Sequence, residues 1–527
     1  MNIKFKYICG MMVAAATLTS CYEDKGNYDY TEVEDISATG FPKQINVVQK
    51  ADYIELSPSF TSTQNGAIDN NPNYEYSCML WKSGGTFPDT KTRQKEIDTD
   101  HAKDVKYFAD LSEGNYVIQY MVTNKQTGVT TNFKVPVKVT SSTYEGWMVL
   151  CDDKDGYANM DMVSVLSETR KETVHNILGA KAPKLKGARS MMMYARPSNY
   201  AAGDDMWYNT DEGTYSLNQR TLEALYNVTA TEFMVTPKDE QVIANACMYL
   251  YGYSLCVTDK GNVYAKSSSS GAVYEDPVNT FTNGGALEFH AAPFIGVCMS
   301  RSGYDYYYNQ KAILYDKDHQ QFVSFDGSSN GNHTACSKID DPENKLFSYQ
   351  TGKDMIAMVN TAFSGGTTYA VMEDAAKKRY VYGINMTGGQ LVQSLYEPLS
   401  APDVDKATSF AFHSQYPYMF YNDGDKVYTY HLMNHTANVG LTLPGEEVTM
   451  VKFNLFYHQR TSTLFNKSDE FMAQQYMLIV GSYKKDNTDG NGGVLRFYKF
   501  DQATGTLTLA EQYDGFGKIK DVMYRER

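Results

Sequence analysis

Short runs of apolar residues separated by polar turns dominate the chain. In the N-terminal third, Ile45 to Val47, Tyr53 to Leu56, Tyr74 to Trp81, Glu113 to Thr123 and Phe133 to Val139 read as strands. The last alternates with a clear period of two, and Pro136 within it predicts an edge position, because proline donates nothing to a ladder. Trp81 is placed to enter a sandwich core. Several short strands within about 95 residues, with a core tryptophan, predict an immunoglobulin-like sandwich over 45–140. No Cys…Trp…Cys framework accompanies it.

From residue 143 onward a different pattern repeats. An apolar strand is followed by a turn of Asp, Gly, Lys or Asn, then by a second strand that often carries Val-Tyr. Copies start near Trp147, Met206, Ser254, Lys311, Tyr369, Pro417 and Tyr476, at spacings of 59, 48, 57, 58, 48 and 59 residues. A period of roughly 50 residues built from hairpins is the signature of a β-propeller. The expectation is therefore an all-β chain: a sandwich over 45–140, then a propeller over 143–527, with seven blades for seven copies. The final stretch, Ile519 to Tyr524, resembles the strand that precedes other copies, such as Ser409 to Phe412. It would complete the first blade and close the ring.

The N-terminus carries different information. Lys4 and Lys6 precede an apolar run, Ile8 to Ala16, too short to span a bilayer as a helix. Leu18-Thr19-Ser20-Cys21 follows, with small residues directly before a cysteine. This reads as a lipoprotein signal, with residues 1–20 expected to be removed and Cys21 lipidated. Two or more acyl chains anchor a protein stably without a transmembrane helix. Residues 21–44, acidic and polar, read as a tether. Loss of Lys4 and Lys6 takes the formal charge from −14 to −16. That balance argues against nucleic acid as a partner.

Six cysteines remain after Cys9 and Cys21. None forms a CxxC pair, and the nine histidines show no ligand spacing beside them. They read mostly as buried thiols, with Cys247 and Cys256 on neighbouring strands as the one plausible pair. Asp153-Lys154-Asp155-Gly156 is like a calcium loop, but EF-hand spacing puts Cys151 and Met162 where ligands belong. Asn487-Thr488-Asp489-Gly490 fails similarly. Both predict hairpin turns, and no metal or cofactor is expected. No nucleophile elbow, Walker loop or zinc-protease motif is present.

Tyrosine is the compositional outlier, with 43 residues. The densest aromatic cluster, Tyr304-Asp305-Tyr306-Tyr307-Tyr308, places Tyr304, Tyr306 and Tyr308 on one face of a strand. Those rings either pack between blades or stack against a sugar. Trp207 and Trp147 begin repeat copies and read first as blade core. Trp207 is kept behind the three tyrosines as a stacking candidate.

The run Ser20-Cys21-Tyr22-Glu23-Asp24-Lys25-Gly26-Asn27-Tyr28-Asp29-Tyr30 resembles the start of the PKD-like family of Bacteroidetes lipoproteins. The hairpin Val122-Thr123-Asn124-Lys125-Gln126-Thr127-Gly128 resembles the strand–turn–strand that ends the PKD-like sandwich of that family. The resemblance implies a surface accessory of a Sus-type uptake system, beside a TonB-dependent porin and its lid lipoprotein, capturing a glycan or peptide. It carries over no catalytic residue. Glu23 and Asp24 resemble the surface-export signal of such lipoproteins, which implies the outer membrane, facing the exterior. The expected role is thus non-catalytic ligand binding. A secreted propeller enzyme, glycosidase or polysaccharide lyase, and a structural or adhesive protein are the alternatives.

Overall fold

The computed structural model describes residues 34–525, apart from 50, 84–93, 98–99, 167–169, 195–204, 249–252, 268–271, 300–310, 329–330 and 457–468. The chain is all-β and divides into two compact units, Met1–Val139 and Thr140–Arg527. Cys21 and the tyrosines 304, 306 and 308 lie outside the described residues.

Among its described residues the first unit is built of three sheets. Its largest sheet runs, in spatial order, Ile45–Val48, Thr130–Thr140, Gly114–Asn124, Tyr74–Lys82 and Gln94–Glu96. A smaller sheet joins Ile36–Thr39, Ser59–Ser62 and Gly66–Ala67, and Tyr53–Leu56 pairs with Val105–Phe108. The core takes one face of each strand, with Ile54, Leu56, Phe60, Cys78, Ile118, Tyr120, Val122 and Val137 buried together.

Two expectations are corrected here. In Tyr74–Lys82 the even positions Tyr74, Tyr76, Cys78 and Leu80 are buried, so the period of two turns Trp81 to the opposite face, half-buried. Pro136 is not on an edge strand: Thr130–Thr140 has neighbours on both sides. Its neighbour Ile45–Val48 has only four residues against its eleven, so most of that side has no ladder to interrupt.

The stretch expected to be tether is also shorter than 21–44. Ile36–Thr39 is a strand, paired residue for residue with Ser59–Ser62. Just before it, the Glu34 carboxylate accepts from the Ser62 and Tyr74 hydroxyls, from Asn65 Nδ2 at 3.1 Å and from Asn124 Nδ2 at 2.7 Å. Burial works to raise its pKa, but these four donors together outweigh burial and hold the carboxyl down at about 2.

The described residues of the second unit form seven antiparallel sheets arranged as a propeller. From the axis outward the first sheet runs Lys518–Arg525, Gly146–Asp152, Ala158–Val165 and Lys171–Val174. The other six begin at the axis with Ala188–Tyr194, Val242–Cys247, Gly296–Val297, Asp354–Asn360, Phe410–Phe412 and Glu446–Lys452. Each of these inner strands lies against the next around the circle, and Glu446–Lys452 lies against Lys518–Arg525.

The seven copies seen in the sequence are the second strands of the seven sheets. They are buried on both faces: Thr367–Glu373 is buried at every position, and Gly146–Asp152 at all but its last. A strand sandwiched on both sides reads as a continuous apolar run. One apolar cluster fills each gap between neighbouring sheets. The seventh gap joins the last sheet to the first through Trp147, Val149, Val522 and Tyr524 packed on Ile479, Leu495 and Phe497.

The cysteines and turns follow the same logic. Cys151, Cys256 and Cys336 are buried thiols. Cys247 stands opposite Ser254 and Cys256 opposite Asn245, so the two do not pair. Asp153 Oδ1 accepts from the backbone N–H of Asp155 and Tyr157, both at 2.9 Å, and closes a hairpin turn. Asn487 Oδ1 does the same for Gly490.

His413, at the end of an inner strand, is 2% exposed. Its ring stacks on Tyr416 at 4.8 Å and meets Phe453 edge-on at 4.9 Å. Nδ1 accepts from the N–H groups of Gln415 and Tyr416, which leaves the proton on Nε2. Burial pushes its pKa down to about 4.

Two predictions follow from these groups. Glu34→Gln keeps the size of the side chain but removes the charge that four donors share. At pH 7 it should destabilise the first unit by about 1–2 kcal/mol, allowing for solvent screening at a half-buried site. Because the folded pKa is depressed, that contribution is full above the unfolded value of 4.5 and fades as pH falls towards about 2. Urea unfolding of wild type and variant should therefore converge near pH 2; a constant gap would contradict it. His413 is neutral in the fold and protonates more easily unfolded. Its share of stability is full above pH 6.5 and is lost as pH falls towards about 4, amounting to about 3 kcal/mol. His413→Asn should flatten the decline in thermal midpoint between pH 7 and 4.5, and parallel declines would contradict that reading.

Candidate functional site

A propeller converges at its axis. There the second unit encloses a cavity of about 500 Å³, walled by all seven inner strands and the segments leading into them. Each inner strand turns one edge toward the channel.

A repeated irregularity shapes that wall. In five sheets the ladder between inner and second strand slips by one residue near the start of the inner strand. The extra residues are Lys520, Arg189, Ile243, Ile356 and Thr449. A bulge bends its strand and re-aims a side chain. Four of these five, Lys520, Arg189, Ile243 and Ile356, line the cavity.

The wall has two chemistries. On one side lie the adjacent inner strands carrying Lys452, Lys520 and Arg189. Asp521, buried beside them, accepts from the N–H of Met191 at 2.6 Å and of Val522 at 2.9 Å, and pairs with Lys452 Nζ at 2.5 Å. Lys520 Nζ lies 3.3 Å from Asp152, whose other oxygen accepts from Ala188 N at 2.8 Å. Arg189 Nη1 donates to the exposed Asp211 at 2.7 Å. From the third sheet to the fifth the wall is aliphatic, with Ile243, Ala244, Ile295, Val297, Ile356 and Val359.

Neutral polar groups on the wall are mostly committed to it. Asn360 Oδ1 accepts from Val297 N and Thr368 Oγ1, and its Nδ2 donates to Ile295 O. Asn245 Oδ1 accepts from Asn209 Nδ2 at 3.0 Å. Ser409 Oγ accepts from Val451 N at 2.9 Å. Among the described residues no cluster of three or more His, Cys, Asp or Glu could hold a metal ion.

Trp207 is not at the channel. It is 3% exposed and packs with Val242, Cys256 and Tyr274 between the second and third sheets. Its Nε1 donates to Glu232 at 3.3 Å, a carboxylate also engaged by Lys266 and the Tyr226 hydroxyl. A second strand buried on both faces gives its aromatic ring no access to a ligand. Trp147, likewise, is enclosed by Phe497 and Tyr524. The channel residues had escaped sequence reading. Their one local signal is a basic residue just after the start of an inner strand, at Arg189 and Lys520, and it is too common to stand out.

Solved structures similar to this chain include a quinonprotein alcohol dehydrogenase-like protein from Bacteroides thetaiotaomicron, at 12% identity over 94% of this chain and 99% of that one, with a TM-score of 0.40. A putative 6-phosphogluconolactonase from Bacteroides fragilis is similar at 14% identity over 73% of this chain and 99% of that one, TM-score 0.42. The β-propeller domain of Cps50 from Myceliophteria thermophila is similar at 8% identity over 66% and 96%, TM-score 0.34. At such identities nothing of their chemistry carries over to this chain. No curated protein matches it in sequence. Residues 21–184 match the PKD-like family, a span that covers the described strands of the first unit and enters the first sheet of the second, so the N-terminal part of this chain is PKD-like.

Proposed function

We propose that this chain is a lipoprotein of the outer membrane, anchored through Cys21 and facing the medium, that captures a glycan or peptide as the non-catalytic accessory of a nutrient-uptake system. The anchor rests on the signal sequence before Cys21, and the uptake role on the resemblance of the N-terminal segment to PKD-like lipoproteins. The observation that carries the binding role is the channel of the second unit. It has the volume of a small-molecule site and walls fixed by hydrogen bonds.

Capture is favoured over hydrolysis by the carboxylates. Glycoside hydrolysis needs two carboxyl groups flanking one bond. Among the described residues lining the cavity, Asp521 is the only acid, and both its oxygens are already engaged.

Fractionation and binding test this reading. Cys21→Ala should shift the protein from the membrane fraction to the soluble fraction, since the acyl chains supply the anchor. Protease added to intact cells should cleave the wild type. In affinity gels, a soluble form starting after Cys21 should be retarded by at least one glycan or peptide and leave it intact. Retention of Cys21→Ala on the membrane would contradict the anchor, and shortening of any glycan would establish the enzyme instead.

A further inference from the structure

The two-sided wall of the channel says more about the ligand than the capture role does. The bulge residues lining the cavity change character around the ring: Lys520 and Arg189 come from the first and second sheets, Ile243 from the third and Ile356 from the fifth. Three cations and one acid line the cavity, and the acid is matched to Lys452. Lys520 and Arg189 pair with Asp152 and Asp211, which do not line the cavity, in a chain whose formal charge is −14.

Neither cation is saturated by its partner. Asp211 takes Nη1 of Arg189 and is itself exposed, while a guanidinium has five donors. Lys520 meets Asp152 at 3.3 Å, and Asp152 also serves the backbone of Ala188. Charges of one sign in a cleft with low-dielectric walls focus the field on an incoming ion of the other sign.

The rest of the wall selects against a densely hydroxylated ligand. Asn360 and Ser409 already bond the backbone, and Asn245 bonds Asn209. An aliphatic surface of Ile243, Ile295, Val297 and Ile356 offers a sugar no hydrogen bonds, and it rewards burial of methylenes.

We propose that the channel binds an amphipathic anion: a carboxylate, sulfate or phosphate group held at Arg189 and Lys520, with an aliphatic body laid against Ile243, Ile295 and Ile356. This rests on the capture role proposed above and narrows the ligand of its channel: of a glycan or a peptide, the wall favours one that carries an anion on an aliphatic body. The juxtaposition is made by the bulges, which bring residues 189, 243, 356 and 520 to one axis.

Alkanoates are the probes, because headgroup and chain vary separately. Titration calorimetry of the soluble form with hexanoate, octanoate and decanoate should give affinity that rises by about threefold to fourfold per added methylene. Decanoate should bind about 10- to 100-fold more tightly than 1-decanol, as expected for a hydrogen bond to a charged group. Lys520→Met and Arg189→Met keep the side-chain stems and should each erase most of that preference while leaving decanol binding unchanged. Lys520→Arg should retain it. Thermal midpoints within a few degrees of wild type show that the variants fold, and Lys520→Arg keeps the test decisive if a methionine variant does not. Affinity independent of chain length would overturn the proposal, as would equal binding of decanoate and decanol. Tighter binding of trigalacturonate than of decanoate would also overturn it, because that ligand carries charge without an aliphatic body. Capture of a glycan in affinity gels is read separately, so loss of the alkanoate result leaves that reading standing on its own data.

Discussion

The second unit depends on one pairing: the last strand of the chain, Lys518–Arg525, zipped to Gly146–Asp152 near the start of the unit. A ring of sheets with apolar faces has no stable end. Without this strand the first sheet would lack its inner member, and the last sheet would present Ile479, Leu495 and Phe497 to water instead of to Trp147 and Val522. Loop-closure entropy grows only with the logarithm of length, about 0.6 kcal/mol per doubling, so pairing across the whole unit is not prohibitive. The entry to the strand is tight. A Cβ on Gly517 would lie 2.4 Å from the backbone oxygen of Asp152, so only glycine lets the strand approach its partner there. At its far end the Arg525 guanidinium donates to the backbone carbonyls of Thr143 and Gln219.

Closure fixes the inner strands, and the inner strands make the channel. Asp521 sits on the closing strand and accepts from Met191 N on the next inner strand and from Lys452 on the previous one. It is therefore a clasp between three sheets, which gives a buried acid at the axis a structural use. Lys520, the bulged residue just before it on the same strand, also lines the cavity. Closure and ligand chemistry thus share a few consecutive residues.

The sequence made some of this legible and hid the rest for identifiable reasons. The repeat was readable because second strands are buried on both faces, which leaves apolar runs such as Trp147 to Leu150 and Tyr369 to Met372 at a spacing of about 50 residues. The closing strand was readable because Ile519 to Tyr524 has the pattern of an inner strand and no partner nearby. The channel was not readable. Its lining residues come a few at a time from seven separate strands, between residues 189 and 523, and a bulge leaves no mark in an apolar–polar pattern. Trp81 misled because tryptophan suggests a core, whereas its parity with Tyr76 and Cys78 already placed it on the other face. Glu34 misled in the opposite sense: in an acidic stretch it looked like tether, and only the donors Ser62, Tyr74, Asn65 and Asn124, far away in sequence, make it part of the sandwich.

Hydrogen–deuterium exchange read by peptide mass is the most direct test of the closed ring. Peptides covering 146–152 and 518–525 should be among the most protected of the second unit, and they should lose protection together as urea is raised, because each supplies the other's ladder. Exchange of 518–525 within seconds while 146–152 stays protected would show that the last strand is not the first sheet's inner member, and would contradict the account.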